Sequence, residues 1–552
     1  MAAIATIATM LFSGCTGRQT PVDIGIRDQV LHLGNQTEPQ DLDPHIITGV
    51  PEMNIISALL EGLVSEDPKD LHPVPGVAER WETSPDGLRY TFHLRPDAMW
   101  SNGERVTAGD FVYSFQRILS PGLASEYAYM LYCLKNGEDF NKGTITDFAQ
   151  VGAKAVDSAT LVVDLKGPTP YFLSMLSHSS YLPVNPRVIA KFGKIDERGT
   201  RWTRPGNFVG NGPFTLAAWE TNKVIVVRKS TTYWDSKTTR LKEVRFYPIE
   251  SDQTEERAFR SGQLHITHTV PVNKLAYYRT QEPSILHINP YLCTYYYLLN
   301  VHKPPLDNVL VRKALAMSVD RAALVSGVTK AGEIPAHFFT PPNTAGYTST
   351  DSIPTDVAKA RELLAQAGYP DGKGFPPLDI LYNTSEQHQL IAQAIQEMWR
   401  KNLGITVTLT NQEWKVYLDA QTRKDYQVSR SGWSGDYNDP NTFLDMWVTG
   451  GGNNRTGWSS PAYDSLIAAT TRTNDQTRRF SLFAQAEKIL LDDASIIPIY
   501  FYVSKELRHP SVQGWYPTIL DRHPYKYVWL EAGAGGQPID SAQGPQSGVS
   551  GQ

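Results

Sequence analysis

A chain of 552 residues is too long to close around one hydrophobic core, and that constraint governs how the rest of it is read. Two or three domains are expected. With 41% hydrophobic and 20% charged residues it has ordinary globular composition, so extensive disorder is not expected. Helical and strand patterns alternate along most of its length, which argues for an α/β chain with mixed sheets. No repeat with a period of about 20–50 residues is visible, which argues against a solenoid. The net charge is -5, with 52 basic against 57 acidic residues, so no cationic excess favours nucleic acid or an anionic membrane surface. The 27 Tyr and 12 Trp suit a large cleft lined by rigid, amphipathic side chains, and equally suit well-filled cores.

The three cysteines, Cys15, Cys133 and Cys293, are too few for a disulfide scaffold or a Cys-based zinc site. Cys15 ends an apolar stretch from Ala2 that is too short to span a bilayer and stops in small residues, like an export signal. It resembles a bacterial lipobox, which makes Cys15 the candidate lipidation site, with an ordinary cleaved signal as the alternative. No Lys or Arg precedes the run, and Phe12 stands where Leu is usual. Beyond it no run of 18 or more apolar residues occurs, so membrane attachment is expected only through Cys15. Residues 16–28 read as a tether, and residues 533–552, rich in Gly, Ser, Gln and Pro, as a disordered tail.

Several elements are legible in between. Pro85-Asp86-Gly87 supplies the turn of a hairpin that runs from Trp81 into Tyr90-Thr91-Phe92-His93-Leu94, and Asn102-Gly103 marks a second turn. Thr107 and Asp110 predict a capping box, with Phe111, Phe115 and Ile118 at helical spacing behind it. Further helices are predicted from about Asp356 to Ala367, from Glu386 to Asn402 and from Phe480 to Leu491. The second carries Ile391, Ile395, Met398 and Trp399 on one stripe and stops at Gly404. Ile405, Val407 and Leu409 alternate as a strand, and Ile496 to Tyr500 reads as another.

A search for chemistry gives little. There is no Gly-x-Ser-x-Gly elbow and no Walker A sequence. His265 and His268 lack the Glu and the spacing of a helical zinc site, so neither a metal nor a cofactor is expected. Asp436 and Asp439 could serve a glycosidase only as opposed carboxylates, which a sequence cannot display. An exported hydrolase therefore has no positive support, and the chain is not expected to be an enzyme.

Several ordered segments carry a resemblance. They are Asp43-Pro44-His45 with Gly49-Val50-Pro51-Glu52, Glu61-Gly62-Leu63, the block from Ala78 to Ser114, Pro290 to Tyr297, Asn411 to Lys415, and Gly432 to Pro440. Together they resemble the peptide-binding proteins of bacterial oligopeptide ABC transporters, over about residues 30–530. The resemblance implies a periplasmic-binding-protein-like α/β fold with two lobes, an extra third domain, mixed sheets and a hinge. It places lobe I at residues 29–60, 190–292 and 505–532, the extra domain at 61–189 and lobe II at 293–504. It implies a monomeric receptor outside the cytoplasmic membrane that hands short peptides to a permease. Relatives on this fold also take murein peptides, dipeptides, haem, nickel complexes and sugars, and a murein-peptide receptor is the leading alternative.

An extended peptide can pair its main chain with strand edges, and its charged ends then need fixed counter-ions. By the resemblance, Asp436 meets the α-ammonium, whereas its loop alone would read as an Asx-type turn. Arg430 and His388 match positions that meet the carboxylate of longer peptides, and Lys330 lies one place from a lysine used for a shorter one. Thr48, Gly49 and Val50 match backbone contacts. Tyr127, Tyr291, Tyr296, Trp414 and Trp433 match pocket walls, although Tyr296 and Trp433 suit a core equally well. Asn453, with Asn454, resembles a further cleft loop. Two departures are visible. Ser434 stands where close relatives carry the disulfide partner of position 293, which leaves Cys293 free or paired with Cys133. Ser57 and Gln421 replace arginines that some relatives place in the cleft.

Overall fold

The computed structural model describes residues 19–533, so the export signal, Cys15 and all but the first residue of the expected tail lie outside the described residues. Three larger sheets organise a two-lobed α/β molecule with an extra domain. The first has the order Val30–Gly34, Glu243–Tyr247, Val224–Lys229, Phe214–Glu220, with its first pair parallel and the rest antiparallel. The second is antiparallel throughout, in the order Ala78–Thr83, Arg89–Leu94, Thr160–Asp164, Ala153–Ala155. The third is mixed and six-stranded, in the order Ile334–Pro335, Ile496–Leu507, Leu286–Leu299, Val428–Ser434, Leu378–Asn383, Val407–Gln412.

Two of these strands join the lobes. Leu286–Leu299 and Ile496–Leu507 run antiparallel over almost their whole length, with a register break between Pro290 and Thr294. At one end Leu507 packs with Phe259, Leu275 and Tyr278, and at the other Tyr297, Leu299 and Ile497 enter a separate core. A bulge in a paired ribbon bends it without severing the ladder, which suits a hinge.

The predicted hairpin, the capping box and the Gly404 stop are all present. Thr107 Oγ1 accepts from the Asp110 N–H while the Asp110 carboxylate accepts from the Thr107 N–H, opening the helix Ala108–Leu119. Its Phe111, Phe115 and Ile118 are buried. The helix Glu386–Leu403 ends at Gly404, whose φ of 71° is the left-handed conformation that glycine adopts without strain. The expected tether is corrected in part. Residues Pro21–Asp28 form a helix, with Thr20 and Asp23 as a capping box and Pro21 in the first turn. Gly25 lets this helix approach, since a Cβ there would lie 2.4 Å from the Val30 carbonyl oxygen. Among the described residues no helix is long and apolar enough to cross a membrane.

Candidate functional site

The strand Val428–Ser434 organises the site, because alternate side chains leave a strand on opposite faces. Arg430 and Gly432 share one face with Tyr295 and Tyr297 of the neighbouring strand, while Trp433 pairs with Thr294 on the other. Just past the strand end lies Asp436, which is buried. Its carboxylate lies 3.2 Å from His178 Nε2 and accepts from Tyr127 Oη at 3.5 Å and Thr442 Oγ1 at 3.3 Å. No Lys or Arg pairs with that carboxylate among the described residues. The nearby guanidinium of Arg522 instead donates to the Asp436 backbone carbonyl at 2.8 Å. Trp433 stacks on Tyr127 with ring centroids 6.1 Å apart, and Asn453 donates to Tyr129, which also stacks on Tyr127. Asp445, behind this group, is held well above the usual carboxylate range by burial and by the charges of Asp436 and Asp439.

Six residues upstream the charge has the opposite sign. Arg430 is buried, donates to Asn383 Oδ1 at 3.1 Å and Tyr502 Oη at 2.7 Å, and lies 4.9 Å over the ring of Tyr295. Among the described residues no carboxylate pairs with it and its Nε has no partner. Gly432 adjoins this guanidinium: a Cβ there would stand 3.4 Å from both Arg430 Nη2 and Tyr502 Oη, an ordinary contact distance. His388 packs against the same Tyr295 ring, and neither of its nitrogens has a hydrogen-bond partner. Burial, then the charges of Arg430 and Lys505, hold its imidazole well below its usual pKa, so it is neutral. At about 3.3 Å per residue, the α-carbons of Arg430 and Asp436 are at most about 20 Å apart. One short segment thus carries a buried cation and a buried anion within about 20 Å of each other.

The remaining candidates divide. Trp414 stacks on Tyr417 and directs its indole N–H to Glu52 Oε1 at 3.4 Å, while its ring edge closes on Gly49, where a Cβ would lie 2.9 Å away. Thr48, Gly49 and Val50 thus sit at the start of the helix Val50–Leu59, beneath Trp414. Tyr291 shares a 2.6 Å hydrogen bond with Ser434. Tyr296 is in the packed interior, edge-on to Phe339 and Trp447 at 5.0 and 5.8 Å, so the core reading holds for it. Lys330 stands apart: it is exposed and lines an outer cavity of about 430 Å³ with Asn273 and Leu390. Cys293 lies opposite Ser434 in the ladder, which donates to its sulfur at 3.3 Å, and neither Cys293 nor Cys133 is paired. Gln421, buried, is gripped by Arg455, which also pairs with Glu126 at 2.6 Å.

The sequence offered no signal for His178, Tyr129 or Arg522. His178 and Tyr129 lie hundreds of residues from Asp436 and Arg522 lies 86, and only tertiary packing brings them to it. A smaller cavity, of about 150 Å³, is lined by Val50 and Arg522 but by none of the other candidates. The charged pair is buried outside it, so the cavity borders the site rather than containing it.

The sequence and the fold are similar to those of known proteins. Residues 72–455 match the model of the bacterial extracellular solute-binding proteins, family 5 middle. The periplasmic oligopeptide-binding protein OppA of Escherichia coli (strain K12) is 41% identical over 525 residues, covering 93% of this chain and 94% of that protein. Among solved structures, the Escherichia coli murein tripeptide binding protein MppA superimposes with a TM-score of 0.86 at 37% identity, covering 91% of this chain and 98% of that one. Haemophilus influenzae OppA, in complex with RPPGFSPFR, gives 0.85 at 35% identity, covering 91% and 99%. MppA in its unliganded open form gives 0.61 at 37% identity, covering 91% and 97%, so the lobes here are set differently from that open form.

Proposed function

Because the chain belongs to the family 5 bacterial extracellular solute-binding proteins, we propose that it captures short peptides by both charged ends and delivers them to the permease of an ABC importer. The observation that carries this reading is the pair of buried charges of opposite sign, Asp436 and Arg430, neither of which forms an ion pair with a Lys, Arg, Asp or Glu side chain among the described residues. A carboxylate without Lys or Arg at one end and a guanidinium without Asp or Glu at the other are each costly alone. A peptide zwitterion satisfies both in one binding event, each end through charge-assisted hydrogen bonds that contribute roughly 1.5–3 kcal/mol. Asp436 takes the ammonium, with His178 and Tyr127 fixing its carboxylate, while Arg430 and the neutral His388 take the carboxylate. The strand edge beside Gly432 and the backbone at Thr48 to Val50 pair with the main chain, which makes recognition tolerant of sequence.

The receptor performs no covalent chemistry. The relatives are binding proteins, and the charged groups lie at the two ends of the cleft instead of flanking one bond. It works outside the cytoplasmic membrane, held there by a lipid on Cys15. Calorimetry with free, N-acetylated and C-amidated tripeptides tests the reading. Each blocked end should weaken binding by about tenfold or more, and equal affinities for all three would refute it. A murein-peptide receptor is the second reading, favoured by the likeness to MppA. The same titration with a murein tripeptide decides it, since that ligand would then bind more tightly than trialanine.

A further inference from the structure

The outer cavity of about 430 Å³ lies where the starts of two helices from different sheets meet. The helix Asp252–Arg260 follows the strand Glu243–Tyr247 of the first sheet, and the helix Glu386–Leu403 follows Leu378–Asn383 of the third. Ser251, which caps the first helix, donates its hydroxyl proton to Glu386 Oε1 at 2.8 Å, so the two starts are in direct contact. Each helix opens on a carboxylate, Asp252 on one side and Glu386 on the other, and both line the cavity. Neither carboxylate forms an ion pair with a Lys, Arg or His among the described residues. Two like charges brought together across such a contact oppose their joint ionisation.

The other charged groups around Asp252 do not cancel this. Lys505, on the strand Ile496–Leu507, lies 3.4 Å from Glu333 and donates to Gln387 Oε1 at 3.1 Å, so its charge is shared with a carboxylate of its own. Lys330, on the cavity wall, is exposed and screened by solvent. Glu255, one turn along from Asp252, is buried and accepts from the His268 and Thr269 N–H groups at 2.8 and 3.3 Å, and burial pushes its carboxyl up to about 8, so it adds little charge below that. Burial, then the charge of Glu386, pushes the half-buried Asp252 up to about 6 against the attraction of Lys505. Helix amino-terminal ends favour carboxylates, but each helix keeps its own dipole whether or not the two starts touch. What changes with the contact is the approach of Glu386 and the loss of water around Asp252.

We propose that Asp252 takes up a proton when the lobes close on a peptide, with Glu386 as the charge that calls for it, so that peptide capture is coupled to proton uptake. Opening about the paired strands Leu286–Leu299 and Ile496–Leu507 parts the two helix starts and returns Asp252 to water, where such a carboxyl titrates near 3.8. The contribution of the pair to binding is therefore fully present below about 4 and is lost as the pH rises through about 6. The proposal rests on the peptide reading, and its test separates the two. Full-length protein and its variants Asp252→Asn and Glu386→Gln are titrated calorimetrically with trialanine at pH 5 and pH 7, with melting curves confirming that the variants fold. Asp252→Asn should bind trialanine more tightly than the unaltered protein at pH 7, and that advantage should shrink by up to about tenfold at pH 5. Glu386→Gln keeps an acceptor for Ser251 and should show the same pH-dependent advantage, smaller in size. His388 and the other histidines titrate in all three proteins alike, so the comparison between proteins isolates the pair. If neither variant gains an advantage that grows from pH 5 to pH 7, the proposal is overturned while the peptide reading stands. If trialanine binds none of the three proteins at either pH, both fall.

Discussion

Asp436 shows how little a single residue says by itself. Just ahead of Tyr437-Asn438-Asp439-Pro440 it has the makings of a turn residue, and its backbone N–H does close a local bond to Thr442 Oγ1 at 2.9 Å. Its partners His178 and Tyr127 lie more than 250 residues earlier in the chain, so its environment exists only in the folded molecule. Asp436→Asn keeps the shape and removes the charge. It should lower the affinity of free-ended tripeptides by about 10- to 100-fold while leaving N-acetylated peptides nearly unchanged, a difference that calorimetry reads directly. Arg430→Met probes the other end. It relieves the desolvation of an unpaired guanidinium but strands Asn383 and Tyr502, two costs of similar size. The unliganded stability should therefore move by less than about 1 kcal/mol in a denaturant melt, while the preference for a free carboxylate over an amide disappears.

At the scale of elements, periodicity and capping identified helices and strands that the structure reproduces closely. The Glu386–Leu403 helix was legible because its stripe and the Gly404 stop agree, and the structure adds the Ser385 cap. The Pro21–Asp28 helix was missed although Thr20-Pro21 and Asp23 spell a cap, since too few apolar residues follow to give a period. Strand register, by contrast, is a tertiary property, and here it places Cys293 opposite Ser434. Ser434→Cys should consequently close a disulfide under oxidising conditions. Such a cross-link adds about 2–4 kcal/mol, reduced by about 1 kcal/mol for the lost Tyr291 bond. Thiol titration should find one free cysteine among Cys133, Cys293 and the new residue, with a melting midpoint that falls when reductant is added.

Across the whole molecule, burial displaces several carboxyl groups in the same direction. Glu52 and Glu506 are pushed up to about 7 and Glu255 to about 8, in each case mainly by desolvation. The unfolded chain releases these protons near 4.5, so between that value and about 8 the folded state binds more protons and stability falls as pH rises. His32, His45 and His287, held down to about 4 by burial and neighbouring charge, act oppositely and remove stability as pH falls below about 6.5. Stability should thus be greatest near pH 6 and drop towards pH 8, by up to about 1.4 kcal/mol per pH unit for each glutamate in its window. Melting curves from pH 5 to 9 measure the profile, and Glu255→Gln should flatten its alkaline side.

Bonds that join distant parts of the chain hold this arrangement together. Ser251 donates to Glu386 at 2.8 Å, Glu126 pairs with Arg455, and Tyr171 stacks on Tyr437 at 4.7 Å. Peptide binding should favour this closed arrangement over an open one, because only here do Asp436 and the Glu52–Trp414 contact face the ligand together. Small-angle scattering should show the radius of gyration shrinking when a tripeptide is added.

The sequence by itself determined the α/β class, the helices and strands with strong periodicity and caps, and the types of residue that a peptide's two ends require. These are local properties, set by neighbours within a few residues, or chemical ones carried by the side chain alone. Only the tertiary structure decided that Arg430 and His388 are buried together, that Tyr296 is core, that Lys330 lies outside the group, and that His178 faces Asp436. Burial and pairing depend on contacts between residues far apart in the chain, and those same contacts bury one carboxylate with no Lys or Arg against it and one guanidinium with no Asp or Glu against it among the described residues.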